Sequence, residues 1–195
     1  VFFSSSSEVY GEPVELPQNE ETTPLNSRVP YAVVKNVGES YFRSYFKSFG
    51  LPFTIFRFFN TYGPNQSEDF VVAKFLKAAL NNQDITIYGD GTQTRTFCYV
   101  DDNVNTCIKI FENNLMLNDV VNIGGAVEYE IKELAQLIIK KTNSKSKLIH
   151  LPALEEGDMT RRMPDNSKMK QILDGKLIPI DKGIELMLSH SDFKY

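Results

Sequence analysis

One stretch limits what this chain can fold into more than any other. In residues 31–49, Val34, Val37, Tyr41, Phe42, Tyr45, Phe46 and Phe49 recur at three- and four-residue steps. That is the period of a helix, and Gly50 supplies its stop. So many large apolar groups on one helix imply two buried surfaces, one of them against a partner subunit. Two short apolar runs without helical period, Val1 to Phe3 and Phe53 to Phe59, read as buried strands. The alternation then repeats. A helix is predicted over 70–82, a strand over 85–88, a tight turn at Gly89-Asp90-Gly91 and a strand over 97–100. A helix capped by Asp101 or Asp102 follows, then a strand over 120–123 running into Gly124-Gly125. Next come a helix over 131–141, a strand over 148–151, a loop over 159–165, and a short helix capped by Asp165 and ending at Leu173. Strands alternating with helices define an α/β protein.

Composition narrows the function. A net charge of −4 gives no electrostatic case for nucleic acid or an anionic membrane surface. No apolar run approaches the roughly 20 residues of a membrane-spanning helix. Cys98 and Cys107 are too few for a disulfide framework and read as buried thiols of a cytoplasmic chain. His150 and His190 stand alone, so no metal site is expected.

The chemistry-bearing residues gather near the start. Tyr31 and Lys35 open the long helix one turn apart on one face. A fixed ammonium beside a phenol favours the phenolate, which suits proton transfer to or from a sugar hydroxyl. The spacing alone is weak, because a core tyrosine followed by a solvated lysine meets it equally. Ser4 to Ser7 follow the first strand directly, and small hydroxyl residues at a strand's carboxyl end are where open α/β sheets present ligand-contacting groups. Residues 12–29, with Pro13, Pro17 and Pro24, read as a loop over a site. Neither Gly89-Asp90-Gly91 nor Gly124-Gly125 is a glycine-rich dinucleotide turn.

Seven motifs in order carry a resemblance. They are Ser6-Ser7-Glu8-Val9-Tyr10-Gly11, Tyr31 with Lys35, Arg57 to Pro64, Tyr88 to Arg95, Tyr99 to Asp102, Asn122-Ile123-Gly124, and Arg161-Arg162-Met163-Pro164-Asp165. Together they resemble the extended short-chain dehydrogenase/reductases that modify nucleotide sugars: epimerases, dehydratases and decarboxylases. The resemblance implies the C-terminal part of a Rossmann-type parallel-sheet domain plus a small α/β substrate-binding domain. On that reading residues 1–64 are the remnant of the NAD-binding domain. Residues 65–195 bind the nucleotide sugar, with a return to the Rossmann sheet near 96–123. The glycine-rich NAD turn would lie upstream, so the chain is expected to be a fragment that holds the dinucleotide poorly and is inactive alone.

The resemblance also implies roles. Tyr31 is the base, Lys35 its partner on the nicotinamide ribose, and Ser6 the hydroxyl beside the reacting sugar oxygen. Glu8 joins them as a catalytic acid or base. Ser4, Ser5 and Phe58 fall at cofactor-binding positions. Ser7, Asn60, Val72, Thr86, Tyr88, Arg95 and Arg162 fall at substrate-binding ones, with Arg95 on the pyrophosphate and Thr86 and Tyr88 at the nucleotide base. The substrate is a UDP- or dTDP-linked sugar, and the helix at 31–49 is the expected homodimer surface. All such enzymes begin by oxidising a sugar carbon with NAD. Ser7 stands where 4,6-dehydratases have an aspartate, which counts against dehydration. Glu8 with Arg162 resembles the UDP-glucuronate decarboxylases, with a 4-epimerase or a 4,6-dehydratase as the alternative. A non-catalytic sugar-nucleotide-binding fragment is the further alternative.

Overall fold

The computed structural model describes residues 1–153, 161–175 and 177–190. Three parallel strands form the main sheet: β1 (Phe2–Ser6), β2 (Thr54–Phe58) and β7 (Asp119–Ile123), in the order β1-β2-β7. Their register sets Ser6 beside Phe58 and Phe58 beside Ile123, so the three carboxyl ends finish level. A 3-10 turn (Ser7–Tyr10) leaves β1, and α1 (Pro30–Phe49) returns alongside it.

Smaller sheets follow. Strand β3 (Thr61–Tyr62) pairs with β6 (Cys98–Tyr99), and β4 (Ile85–Tyr88) pairs in parallel with β9 (Leu148–Leu151). Strand β5 (Thr94–Thr96) lies between β8 (Glu128–Glu130) and β10 (Arg161–Arg162). The remaining helices are α2 (Val71–Leu80), α3 (Val100–Glu112), α4 (Ile131–Thr142), α5 (Ser167–Ile172) and α6 (Ile180–Ser189). No described helix is long and apolar enough to cross a membrane.

The core has two main parts. One packs Leu76, Ile85, Leu134, Ile138, Ile184 and Met187 between α2, α4, α6 and β4. The other packs Phe56, Ile110, Val121, Ile123 and Met169 between the main sheet, α3 and α5. Helices α2 and α4 bury the stripes their periodicity predicts. Helix α1 does not: Val34, Val37, Tyr41, Tyr45 and Phe49 are exposed and only Ala32 and Glu39 are buried, so the two buried surfaces expected of it are not formed within this chain.

Three sequence expectations change. The strand expected over 97–100 shortens to β6, and a separate strand, β5, precedes it, because Arg95 pairs across to Tyr129 while Cys98 pairs with Thr61. Helix α3 starts at Val100 without a side-chain cap. The Asp102 carboxylate instead turns inward and accepts from the Ile178 backbone N–H at 2.8 Å. Within the loop over 159–165, Met159 and Thr160 lie outside the described residues, and Arg161 and Arg162 form β10. Asp165 does receive the backbone N–H and hydroxyl of Ser167, at 3.0 and 2.6 Å.

Helix α1 sits close to β1 because Gly38 has no side chain. A Cβ there would stand 2.2 Å from the Phe3 ring. Phe3 in turn stacks on Phe42 with centroids 4.9 Å apart. Residues 12–29 are strapped across the sheet end. Gln18 N–H donates to the Met163 carbonyl at 2.7 Å, and Asp165 N–H donates to the Gln18 carbonyl at 2.8 Å.

Candidate active site

The level carboxyl ends of β1 and β2 open into a cleft of about 670 Å³. Open parallel sheets bind ligands at this end, where strand-to-helix loops diverge. Ser4 to Glu8, Tyr31, Phe58, Asn60, Val72 and Arg162 all line it.

Tyr31 is 55% exposed in the first turn of α1. Lys35 lies one turn on, its Nζ 5.6 Å from the Tyr31 ring centroid and hydrogen-bonded to the Ser4 carbonyl at 2.7 Å. The ammonium is thus anchored to the sheet end beneath the phenol. Ser6 is buried, and its Oγ accepts the Glu8 N–H at 3.2 Å, which leaves its own O–H to donate into the cleft. Arg162 Nη2 reaches Glu8 Oε1 at 2.6 Å, with both side chains largely buried. Asn60 donates to the Thr96 carbonyl at 3.3 Å.

The structure does not bring every sequence-selected residue to this cleft. Ser5 lines it but turns its hydroxyl away, donating to Glu39 at 2.6 Å. Thr86 and Tyr88 stand on β4, outside the cleft lining, with Lys74 Nζ 5.9 Å over the Tyr88 ring. Arg95 is buried on β5, in register with Arg162, and donates to the Thr94 carbonyl at 2.7 Å.

Sequence reasoning missed a buried polar network behind the cleft. Arg57, 2% exposed, gives Nε and Nη2 to the two oxygens of Glu39 at 3.0 and 2.7 Å. Its Nη1 donates to the Tyr10 hydroxyl at 2.8 Å, and that hydroxyl donates to Asn122 Oδ1 at 2.8 Å. Asn122 Nδ2 then donates to the Gln18 carbonyl at 2.8 Å. Burial pushes the Tyr10 phenol above its usual range, with Arg57 opposing. Burial likewise raises Glu20, although its carboxylate accepts the Asn122 N–H at 2.8 Å. For Arg57 burial disfavours the charge, but the Glu39 carboxylate outweighs it and the guanidinium stays charged. The signal was present: an arginine inside the strand Thr54-Ile55-Phe56-Arg57-Phe58 needs a buried partner. Neither thiol lines the cleft, and burial raises Cys98 and pushes Cys107 up to about 11.

A parallel sheet, a tyrosine and lysine one helical turn apart, and a serine at the carboxyl end of the adjacent strand define a Rossmann-type short-chain dehydrogenase/reductase. Sequence comparison narrows this class. The profile of the NAD dependent epimerase/dehydratase family matches residues 1–124, and the chain belongs to that family. It is 34% identical over 197 residues to UDP-glucuronic acid decarboxylase 1 of Danio rerio, covering 97% of this chain and 46% of that protein. It is 37% identical over 187 residues to UDP-N-acetyl-alpha-D-glucosaminuronate decarboxylase of Bacillus cytotoxicus, covering 88% of this chain and 57% of that protein. Among solved structures, UDP-glucose 4-epimerase of Thermotoga maritima with UDP-glucose superposes with a TM-score of 0.89 at 29% identity. The match covers 98% of this chain and 62% of that one. UDP-glucuronic acid 4-epimerase of Bacillus cereus, in complex with UDP-glucuronic acid and NAD, superposes with a TM-score of 0.87 at 29% identity, covering 98% and 60%. The chain spans about half the length of the curated relatives it matches.

Proposed function

We propose that this chain carries the catalytic helix and the sugar-facing portion of an NAD-dependent nucleotide-sugar enzyme that acts as a UDP-glucuronate decarboxylase. The observation that carries the reading is the cleft lined by Tyr31, Ser6, Glu8 and Arg162, with Lys35 bonded to the carbonyl of Ser4 in its wall. The residues toward the reacting end of the cofactor fit this role. Lys35 and Tyr31 would hold the nicotinamide ribose, with Ser4, Ser5 and Phe58 beside it. NAD supplies an acceptor for the hydride leaving the sugar carbon. The sequence has no glycine-rich turn for the pyrophosphate, so this chain alone should bind NAD weakly. Calorimetric titration showing micromolar NAD binding would overturn that expectation.

The chain's own groups handle the proton. Tyr31 as the base takes it from the sugar 4-hydroxyl, with Lys35 held beside it by the Ser4 carbonyl, and Ser6 donates to the same sugar oxygen. The resulting 4-keto uronate is a β-keto acid, whose C5–C6 bond breaks with its electrons moving toward the ketone and carbon dioxide leaving. Arg162 is within the cleft to orient the carboxylate, and Glu8 is beside it to manage a proton. An epimerase would keep the carbon skeleton and return hydride to the opposite face; the UDP-sugar 4-epimerases among the solved relatives keep that second reading open.

On this reading residues 1–64 belong to the cofactor domain and 65–195 to the sugar-nucleotide domain, with β7 returning to the main sheet. The protein acts in the cytoplasm as a homodimer through α1, whose outer Tyr41, Tyr45 and Phe49 are exposed and available for a partner. Light scattering that finds only monomer at high concentration would oppose the dimer. The test of function is a product assay with NAD and either UDP-glucuronate or UDP-glucose, on protein expressed from the complete reading frame. Carbon dioxide release supports the decarboxylase. Stereoisomer exchange without mass change supports the epimerase, and neither product would sink both.

A further inference from the structure

Helix α1 carries Tyr31 and Lys35, yet hydrophobic burial does little to seat it. Of its residues only Ala32 and Glu39 are buried. Aromatic contacts from Phe42 to Phe3 and from Phe46 to Phe53 hold its inner side. Apolar contact is non-directional, so the Gly38–Phe3 fit and these ring contacts restrict the rotation and slide of the helix less sharply than a directional bond does. Two directional contacts tie it to the sheet: Lys35 Nζ to the Ser4 carbonyl, and, one turn further on, the Glu39 carboxylate. That carboxylate receives the two-point fork of Arg57 from β2 and the Ser5 hydroxyl from β1. A bidentate guanidinium–carboxylate pair fixes angle as well as distance.

The sequence positions give this pair its reach. Glu39 follows Lys35 by four residues and Tyr31 by eight, so all three lie on one helix face. Ser5 lies between Ser4, whose carbonyl receives Lys35 Nζ, and Ser6, whose hydroxyl faces the cleft. Arg57 extends the chain of bonds through Tyr10 to Asn122 on β7.

We propose that Glu39, gripped by Arg57 and Ser5, is a positioning residue that sets the rotation and slide of α1, so that Tyr31 and Lys35 stand over the Ser4–Ser6 end of β1. This rests on the reading of Tyr31 and Lys35 as the reacting pair, but its test needs no ligand. Protein labelled with ¹³C in tyrosine and lysine is compared by NMR as wild type, Glu39→Gln and Ser5→Ala. Tyr31→Phe and Lys35→Arg assign the two signals. Thr142→Ala removes a hydrogen bond to the Ile138 carbonyl on α4 and is the control for a purely structural loss.

The Tyr31 ring and Lys35 ε-carbon resonances should move or broaden in both network variants more than in the control. Ser5→Thr, which keeps the hydroxyl, should bring them back toward wild type. Ser5→Ala loses only a hydroxyl and decides the matter if Glu39→Gln does not fold. Folded variants whose Tyr31 and Lys35 signals match the control would overturn the proposal, even if their melting temperatures fall. A separate thermal-shift measurement of the wild type with UDP-glucuronate and UDP-glucose addresses the functional reading. No shift there would sink that reading and leave the resonance comparison standing.

Discussion

Arg162 donates to Glu8 at 2.6 Å in the wall of the cleft that Tyr31 borders, joining β10 to the turn that leaves β1. The pair has two consequences. It neutralises the only fork of donors that the cleft lining offers among the described residues. It also holds that fork where an anionic sugar substituent would meet it.

Arg162→Ala should therefore separate acidic from neutral sugars. Stabilisation by UDP-glucuronate should fall at least about tenfold in apparent affinity, close to 1.4 kcal/mol. Stabilisation by UDP-glucose should change little. Removing the arginine also leaves the partly buried Glu8 without its cation, at a cost of about 1 kcal/mol in urea unfolding. Melting curves with each nucleotide sugar read the first effect. Equal losses for both sugars would show that Arg162 does not recognise a carboxylate.

Tyr31→Phe should leave nucleotide-sugar binding unchanged and lower turnover about a hundred- to ten-thousand-fold, the usual share of a general acid–base group. The change removes one exposed hydroxyl from the first turn of α1, so stability should hold. Measuring turnover and binding on the same preparation checks both halves. A variant with wild-type turnover would remove Tyr31 from the chemistry.

Arg57 and Glu39 are each 2% exposed at the side chain, so either alone is a buried uncompensated charge. Arg57→Met and Glu39→Leu should each cost about 3–5 kcal/mol. The double variant should cost less than the sum, because it leaves no lone charge behind. A double-mutant cycle in urea gives the coupling. Additive losses would mean that the fork contributes no pairwise stability.

How much of this was readable without coordinates depends on what fixes each feature. Helix α1 was legible because its period is a property of its own residues. The parallel main sheet followed from short apolar runs separated by helices. Strands β5, β8 and β10 were not legible, since two or three residues carry no period and their pairing is decided by distant partners. Helix α6 did carry a signal in Ile180, Ile184 and Met187, but it is short and opens after Pro179. In the site, Ser6, Glu8 and Tyr31 were visible through their motifs. Tyr88 opens another of the motifs and Thr86 lies just before it, yet both stand on β4 outside the cleft lining, because sequence order says nothing about distance from a cleft. Arg57, inside an apolar strand, signals a buried partner, but nothing in the order of residues points to Glu39 as that partner, because Glu39 alone resembles an ordinary surface charge. Only the sheet shows that they meet inside.

Acid should loosen the wall that carries Arg162 before it unfolds the core. Hydrogen bonding from Arg161 holds the Glu128 carboxyl below its ordinary range, and bonding from the Ser167 hydroxyl does the same for Asp165. Both groups have native pKa values depressed below their unfolded ones. The stability they lend is therefore present above the ordinary carboxylate range and is lost as pH falls through the depressed values. Glu128 ties β8 to β10 through Arg161 at 2.9 and 2.5 Å, and Asp165 starts the turn into α5. Backbone NMR signals of 161–167 should shift between neutral pH and about pH 3, while those of Leu134 and Ile138 stay fixed. Glu128→Gln should move the onset of that change to neutral pH for β10. A single cooperative transition of every residue in the wild type would show that the wall and the core share one unfolding unit.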